Sequence, residues 1–243
     1  MTYTIMAADR TAGQVGIGLA TVSINAASLV PFYSAHGHVI ATQAYAEKAL
    51  GPVMVGVLNG GASPDEAIAA ARSADGRNEA FRQLAVVSPD GETACHTGPR
   101  CRSWAGHTIG DGWIAMGNVL AGSDVVDAIA TAFAASGGKP LAERLLLALE
   151  AGRDAGGQAT IDGRALRERS AFVRVIQADL LPIFDVQVDL NEDAVGEVRR
   201  IADVVTAIEP YNRIRSADPA ATPAIPDWEA ANVEGLPIPS PFR

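Results

Sequence analysis

Short strands that come in pairs joined by tight turns, with helices between the pairs, constrain the fold of this chain more than any other feature of its sequence. The turns at residues 89–91 and 110–112 combine glycine and aspartate between apolar runs, which is typical of antiparallel hairpins. A parallel, doubly wound sheet needs a helix after almost every strand, and this order of elements does not provide it. The sequence therefore predicts antiparallel sheets.

The predicted elements fall into alternating groups of strands and helices. Strands are predicted at residues 2–8, 14–21, 39–43, 82–87, 93–97, 104–109, 113–117, 171–176 and 184–189. Helices are predicted at residues 51–59, 64–75, 123–135, 140–155 and 193–208, the second beginning with Ser63 as N-cap, Pro64 and Glu66. Strands such as "IATQA" and "GIGLA" are apolar on both faces, which indicates burial on both sides. We therefore expect an α+β fold, a four-layer αββα sandwich of two antiparallel sheets.

One domain and a tail are expected. No linker interrupts residues 1–210, whereas residues 211–243 hold six prolines. Trp228 and Phe242 offer apolar anchors, and prolines lower the entropy lost when an extended segment is ordered. We expect the tail to lie along a neighbouring surface in a homodimer or larger homo-oligomer.

Charge and hydropathy exclude several function classes. The net charge is −9, with 19 basic against 28 acidic residues, and no basic stripe is present, so a nucleic-acid partner is not expected. No apolar run is long enough to span a membrane, and the first residues lack the features of a signal peptide. We expect a cytoplasmic protein with reduced Cys95 and Cys101 and no membrane partner.

Most motifs that carry chemistry are absent from the sequence. No nucleophile elbow, P-loop or zinc-protease motif occurs, and His36 and His38 lack a third ligand at a telling spacing, so neither a metal nor a cofactor is expected. Cys95 and His96 are adjacent on a strand and point to opposite faces, so they cannot pair. His96 and His107 are each open to a role in a site or a structural role.

Thr2 is the remaining candidate, because the first predicted strand begins there. Threonine favours strands, and a purely structural role is one interpretation. In the other, removal of Met1 exposes a threonine whose free α-amine, with an ordinary pKa of about 7.7–8.0, is a suitable general base near neutrality. That amine would activate the hydroxyl of the same residue, which would then supply both nucleophile and base.

Several segments resemble one family, the Ntn-hydrolase-like proteins called domain of unknown function 1028. They include "TYTIMAAD", "VIATQAYAEKALGP", "RQLAVVSPDGETACHTG", "WAGHTIGDGW", "GNVLAG", "LAERLLLALEAGRDAGG" and "FDVQVDLNEDAVGEVRRI", in the family's order. The resemblance implies the αββα fold of N-terminal nucleophile hydrolases, in agreement with the order of elements. It also implies, with less force, hydrolysis of a linear amide or related C–N bond.

The resemblance and the topology together suggest companions for Thr2. The second strand returns antiparallel to the first and brings Thr21, a position where the family carries a hydroxyl, beside Thr2. Gln43 and Asn118 each end a predicted strand. At such positions, related hydrolases have groups that assist the nucleophile or stabilise the oxyanion. We expect Asn118 and a backbone N–H to stabilise the oxyanion, while Thr21 and Gln43 orient the amine.

The chain departs from the family at one motif. Of the family's "GGDxRGxQSAAL", Ser170 and the alanine after it are retained. Gln158 replaces the aspartate unless Asp162 takes its place, and Arg169 replaces the glutamine. We expect Ser170 to help orient the amine, and Arg169 to meet an anionic group of the substrate.

Two functions follow from these observations. The first is an amidohydrolase that cleaves a linear amide or carbamoyl C–N bond of a small metabolite, with Thr2 as nucleophile after removal of Met1. The alternative is a non-catalytic member of the same fold that binds a small metabolite or serves as an oligomeric accessory protein. Retention of Met1 would favour the alternative.

Overall fold

The computed structural model describes residues 1–177, 179–233, 235–236 and 238–239. Within these residues the strands are β1 (Thr2–Asp9), β2 (Gln14–Thr21), β3 (Pro31–Tyr33), β4 (Val39–Gln43), β5 (Gln83–Val87), β6 (Thr93–Thr97), β7 (Trp104–Gly110), β8 (Trp113–Leu120), β9 (Gln158–Ala159), β10 (Ala165–Leu166), β11 (Ser170–Gln177) and β12 (Pro182–Val188). The α-helices are α1 (Leu50–Asn59), α2 (Pro64–Asp75), α3 (Ser123–Ala135), α4 (Leu141–Asp154), α5 (Ala194–Ala217) and α6 (Ile225–Asn232).

The strands form two sheets. The larger has the order β10-β9-β8-β1-β2-β11-β12, with β7 also paired to β8, and the smaller has the order β3-β4-β5-β6. The pairings within both are antiparallel. The antiparallel character predicted from the turns is thereby confirmed.

The two sheets and the helices pack in four layers. Helices α3, α4 and α5 cover the outer face of the larger sheet, with Phe133, Leu145 and Val198 against strand residues such as Ile5. Helices α1 and α2 cover the outer face of the smaller sheet. Between the sheets lies a second apolar layer, made by Met6, Ile17, Leu19, Val39, Ala85 and Met116 with their neighbours. The αββα sandwich predicted from the sequence is confirmed.

Alternation along β1 separates two environments. Tyr3 and Ile5 belong to the layer under the helices, whereas Met6 belongs to the layer between the sheets. Because successive side chains of a strand point to opposite faces, Thr2 and Thr4 face the space between the sheets with Met6.

Helix α2 begins as its sequence predicts. The Ser63 side chain accepts from the backbone N–H of Glu66 at 3.3 Å, and the Glu66 carboxylate accepts from the backbone N–H of Ser63 at 2.8 Å. This reciprocal capping box satisfies two backbone donors that the helix itself cannot.

The structure corrects the expected end of the last long helix. Helix α5 does not end at residue 208 but continues through Pro210 to Ala217, and α6 follows it. The ring of Tyr211, one residue beyond the proline, is buried 5.3 Å from the ring of Trp228, and Val233 is buried with them. This local apolar cluster stabilises the helix where proline removes a hydrogen bond. Phe242 lies outside the described residues, and the division at residue 210 stays a prediction.

None of the helices in the described ranges is long and apolar enough to cross a membrane.

Candidate functional site

Thr2 lies at one end of the larger sheet between two polar neighbours. In register, it is opposite Thr21 on β2 and opposite Asn118 on β8. Thr2, Thr21 and Asn118 retain only 6%, 1% and 1% of their exposure. The structure thus brings these three predicted site residues together in a buried setting.

Two hydroxyl groups are joined at the end of the sheet. Thr2 Oγ1 donates a hydrogen bond to Thr21 Oγ1 at 3.2 Å, and Thr21 Oγ1 donates to the carbonyl of Met1 at 2.5 Å. The backbone N–H of Ser23 donates to the same Thr21 oxygen at 3.1 Å. Thr21 is therefore held by the main chain and in turn positions the hydroxyl of Thr2.

The terminal amine is held in the same cluster. The nitrogen of Met1 donates to Asn118 Oδ1 at 2.7 Å. Burial lowers the pKa of this amine from 8.0 to about 6, because the charged form loses its hydration. The Met1 amine is thus largely neutral at pH 7 and able to accept a proton.

A second layer of amides holds Asn118. Its Nδ2 donates to Gln83 Oε1 at 3.0 Å, and Gln43 Nε2 donates to the same oxygen at 2.7 Å. Gln83 Nε2 lies within hydrogen-bond distance of the carbonyls of Gly106 (3.1 Å) and Gly117 (2.9 Å). Gln83 is completely buried and connects strands of both sheets behind the site.

Gln83 was not among the residues predicted from the sequence. The available signal was a glutamine at the head of the apolar run "QLAVV", directly opposite Gln43 in the sheet. A buried glutamine needs hydrogen-bond partners, so two facing glutamines at strand ends indicate a polar network.

The other predicted orienting residues lie further from Thr2. Gln43 Oε1 accepts from the hydroxyl of Thr4 at 2.7 Å, and two hydrogen bonds through Gln83 connect Gln43 to Asn118. Ser170 is opposite Thr21 in the sheet, and its Oγ accepts from a backbone N–H in the loop after β2. Ser170 therefore supports that loop instead of contacting the amine.

Arg169 and the two histidines are not in contact with Thr2. The exposed Arg169 side chain donates to the carbonyl of Val22 at 2.7 Å. His107 Nδ1 lies 2.9 Å from the hydroxyl of Thr97. His96 Nε2 lies 3.1 Å from the carboxylate of Glu79, which is a structural contact, and the choice between the two roles of His96 stays a prediction.

Cys95 lies in the core between the sheets, and the remaining histidines lie in a turn. Cys95 Sγ packs 3.9 Å from a methionine sulfur between the sheets, and burial raises the pKa of its thiol well above its ordinary value. His36 and His38 lie in the turn between β3 and β4. Across the described ranges, no group of three or more His, Cys, Asp or Glu side chains is placed to hold a metal ion.

A cleft of about 620 Å³ opens beside the N-terminus. Its walls include Met1 and Asn118 and are otherwise mainly apolar; the remaining lining residues are Ala44, Tyr45, Arg102, Ser103, Val119, Thr160, Ile161 and Leu166. A smaller cavity of about 90 Å³ touches Thr2, Thr21 and Gln43 and shares Met1, Ala44 and Tyr45 with the cleft. A small molecule in the cleft would therefore contact Asn118, and the smaller cavity lies between the cleft and the two hydroxyl groups.

Strained backbone is concentrated around this cleft. Ala44, Tyr45, Ser103 and Val119 have φ values of 53°, 39°, 53° and 57°, and all four line the cleft. Left-handed backbone is unfavourable for residues with a side chain, above all for a β-branched one, and it persists only where the surroundings enforce it. Arg82, which pairs with Asp75, donates to the carbonyl of Tyr45 and so holds part of this strained segment.

A chain that carries Met1 is expected to gain stability as pH rises from about 6 to about 8. In this window the unfolded chain keeps the proton on its terminal amine while the folded chain has released it, so the free energy of unfolding increases with pH. Urea denaturation between about pH 6 and about pH 8 measures the free energy of unfolding. The same chain with an acetylated N-terminus is the control, and identical profiles of the two chains would contradict a depressed amine pKa.

Comparison with known proteins gives a family and one close structural match. A family model described as "Family of unknown function (DUF1028)" matches residues 2–198. A crystal structure of a DUF1028 protein from Silicibacter pomeroyi is similar with a TM-score of 0.74 and 27% identity, over 84% of this chain and 86% of that chain. Anbu (ancestral beta-subunit) from Yersinia bercovieri aligns over 86% of this chain and 96% of its own at 13% identity; its TM-score of 0.43 is too low to support an inference. No curated protein matches the chain.

Proposed function

The chain belongs to the DUF1028 family, and from the groups gathered at residue 2 we propose that it is an N-terminal nucleophile amidohydrolase. Its substrate would be a small metabolite with a linear amide or carbamoyl C–N bond. The observation that carries this proposal is the position of the Thr2 hydroxyl, which is bonded to Thr21 and lies next to Asn118, beside a small cavity that shares residues with the cleft.

The proposed reaction begins once Met1 has been removed. The α-amine of Thr2 takes the proton from Thr2 Oγ1, and this oxygen attacks the carbonyl carbon of the substrate. The tetrahedral intermediate collapses as the amine returns the proton to the leaving nitrogen, which leaves an ester on Thr2. Water then attacks that ester with the same amine as base, releasing the acid and restoring the hydroxyl.

We assign two tasks to Asn118. Its Oδ1, which accepts from the terminal amine in the structure, would orient the amine of the processed chain. One N–H of Nδ2 is bonded to Gln83, and for the other the described residues offer no acceptor. We assign that second N–H, with a backbone N–H, to the developing oxyanion, where one donor contributes about 100- to 1,000-fold in rate.

The proposal is tested by a screen of amides, ureides and carbamoyl amino acids for released ammonia. Thr2→Ala is expected to remove turnover of any compound that is hydrolysed, because it deletes the nucleophile at a single buried hydroxyl. Thr2→Ser should keep part of the activity, since serine supplies the same hydroxyl and also permits removal of methionine. Full activity in Thr2→Ala would show that the nucleophile lies elsewhere.

The alternative remains a non-catalytic protein that binds a small metabolite or acts as an oligomeric accessory. It is favoured by one contact, because Met1, if retained, occupies the wall of the cleft and its amine engages Asn118. An intact mass lower by one methionine residue would favour the hydrolase, and a full-length mass the alternative. The cytoplasmic location and the homodimer or larger homo-oligomer stay predictions.

A further inference from the structure

Arg102 is fixed near the proposed nucleophile by the main chain. The N–H of Val119 donates to the carbonyl of Arg102 at 3.2 Å, next to Asn118, which is opposite Thr2. The backbone of Arg102 is therefore two strand spacings from Thr2, roughly 10 Å at the usual separation of paired strands. A molecule of modest size in the cleft can reach both residues at once.

The guanidinium of Arg102 lies beside an aromatic ring at the cleft. Its central carbon lies 5.4 Å from the centroid of the Tyr45 ring. In the part of the chain that the structure describes, no carboxylate lies within 4.0 Å of it, although the protein has an excess of acidic residues. An arginine held over an aromatic ring keeps its N–H edge available for a planar anion.

Most of the remaining cleft wall is apolar, and its other polar side chains, such as Ser103, are neutral. Tyr45 is 48% exposed and Ile161 91% exposed, and Leu166 and Val119 add further apolar surface. A volume of about 620 Å³ is in the range of small-molecule sites, which combine apolar walls with a few placed polar groups. A ligand that is largely apolar and carries one anionic group would be complementary to this cleft, with its charge at Arg102.

We propose that Arg102 and Tyr45 form a carboxylate subsite, so that the substrate is an amide whose apolar body also carries a carboxylate. This proposal rests on the proposed function. It places the carboxylate of the substrate at Arg102 and the carbonyl group of its amide next to the Thr2 hydroxyl. A carboxylate fits better than a phosphate, because a single guanidinium offers two parallel N–H bonds and the surrounding wall supplies no further cation.

Binding of simple carboxylates tests the subsite without depending on catalysis. Isocaproate, hexanoate and hydrocinnamate are titrated calorimetrically into the processed protein, and the corresponding alcohols serve as neutral partners. We expect at least one acid to bind more tightly than its alcohol. Arg102→Gln should weaken binding of the acid by roughly tenfold or more and leave the alcohol unchanged, because only the charge-assisted bonds are lost.

Arg100→Gln is the matched control. Arg100 belongs to the same loop, but its guanidinium lies over the ring of Phe81 and it does not line the cleft. The Arg100→Gln variant should bind the acids as tightly as the unmodified chain does. If no acid binds more tightly than its alcohol, or if Arg102→Gln keeps the preference, the subsite is wrong.

Turnover separates this proposal from the proposed hydrolase. Carboxylate binding that depends on Arg102, without Thr2-dependent hydrolysis of any amide, would retain the subsite and refute the hydrolase. Thr2-dependent hydrolysis of carboxylate-bearing amides that Arg102→Gln leaves unchanged would retain the hydrolase and refute the subsite. If both hold, Arg102→Gln should raise KM for carboxylate-bearing amides with little change in kcat.

Discussion

A chain that keeps Met1 in front of Thr2 is expected to lose roughly 100- to 10,000-fold in activity, the usual contribution of a general base, although every side chain of the site is present. In such a chain the nitrogen of Thr2 is an amide and accepts no proton. The basic amine belongs to Met1 and is bonded to Asn118. The hydroxyl of Thr2 therefore lacks the base that its own amine would supply.

The comparison requires two chains that differ only at the terminus. A fusion partner cleaved directly before Thr2 yields the free threonine, and the same fusion with Met1 placed before Thr2 yields the retained form. Mass spectrometry confirms each terminus, and the rates are compared on the substrate found in the screen. Equal rates would rule out the N-terminal mechanism, whatever the fold.

Gln83→Ala is expected to lower the free energy of unfolding by about 3–5 kcal/mol. The substitution removes a completely buried side chain and leaves amide N–H groups of Gln43 and Asn118 without their acceptor. It also leaves the carbonyls of Gly106 and Gly117 without the amide that approaches them. Unpaired polar groups and a cavity between the sheets both disfavour the folded state.

Chemical denaturation measures the change, with Gln187→Ala as the control. Gln187 also lies in a strand of the larger sheet, but it is exposed, so the same substitution should alter the free energy of unfolding by less than about 0.5 kcal/mol. A loss at Gln83 as small as that at Gln187 would mean that the amide network does not support the site.

Local pattern was sufficient for the framework of the fold and for part of the site. Alternation, turn residues and the capping box at Ser63 predicted most of the strands, the start of α2 and the αββα layers. The same pattern predicted that Thr21 returns beside Thr2, because a hairpin fixes its own register over a short stretch of chain. Asn118 required a resemblance as well, since β8 is distant in the sequence.

Other features depended on contacts that no local pattern contains. Helix α5 continues past Pro210 because Tyr211 packs on Trp228, and propensity alone would end it there. His96 has the chemistry of a site residue, yet its strand places it against Glu79. Which polar side chain joins a site is decided by the face of the sheet it occupies and by what packs on that face.

The sequence by itself therefore determined most of the strands, their antiparallel pairing and the placement of Thr2 at a strand end beside Thr21. Only the tertiary structure determined the buried role of Gln83, the position of Arg102 over the Tyr45 ring and the left-handed backbone at Tyr45 and Val119. Periodicity and turn chemistry act between residues that are close in the chain. Burial of an amide, or strain of about 1–2 kcal/mol in one residue, is stable only when both sheets and their loops have assembled around it.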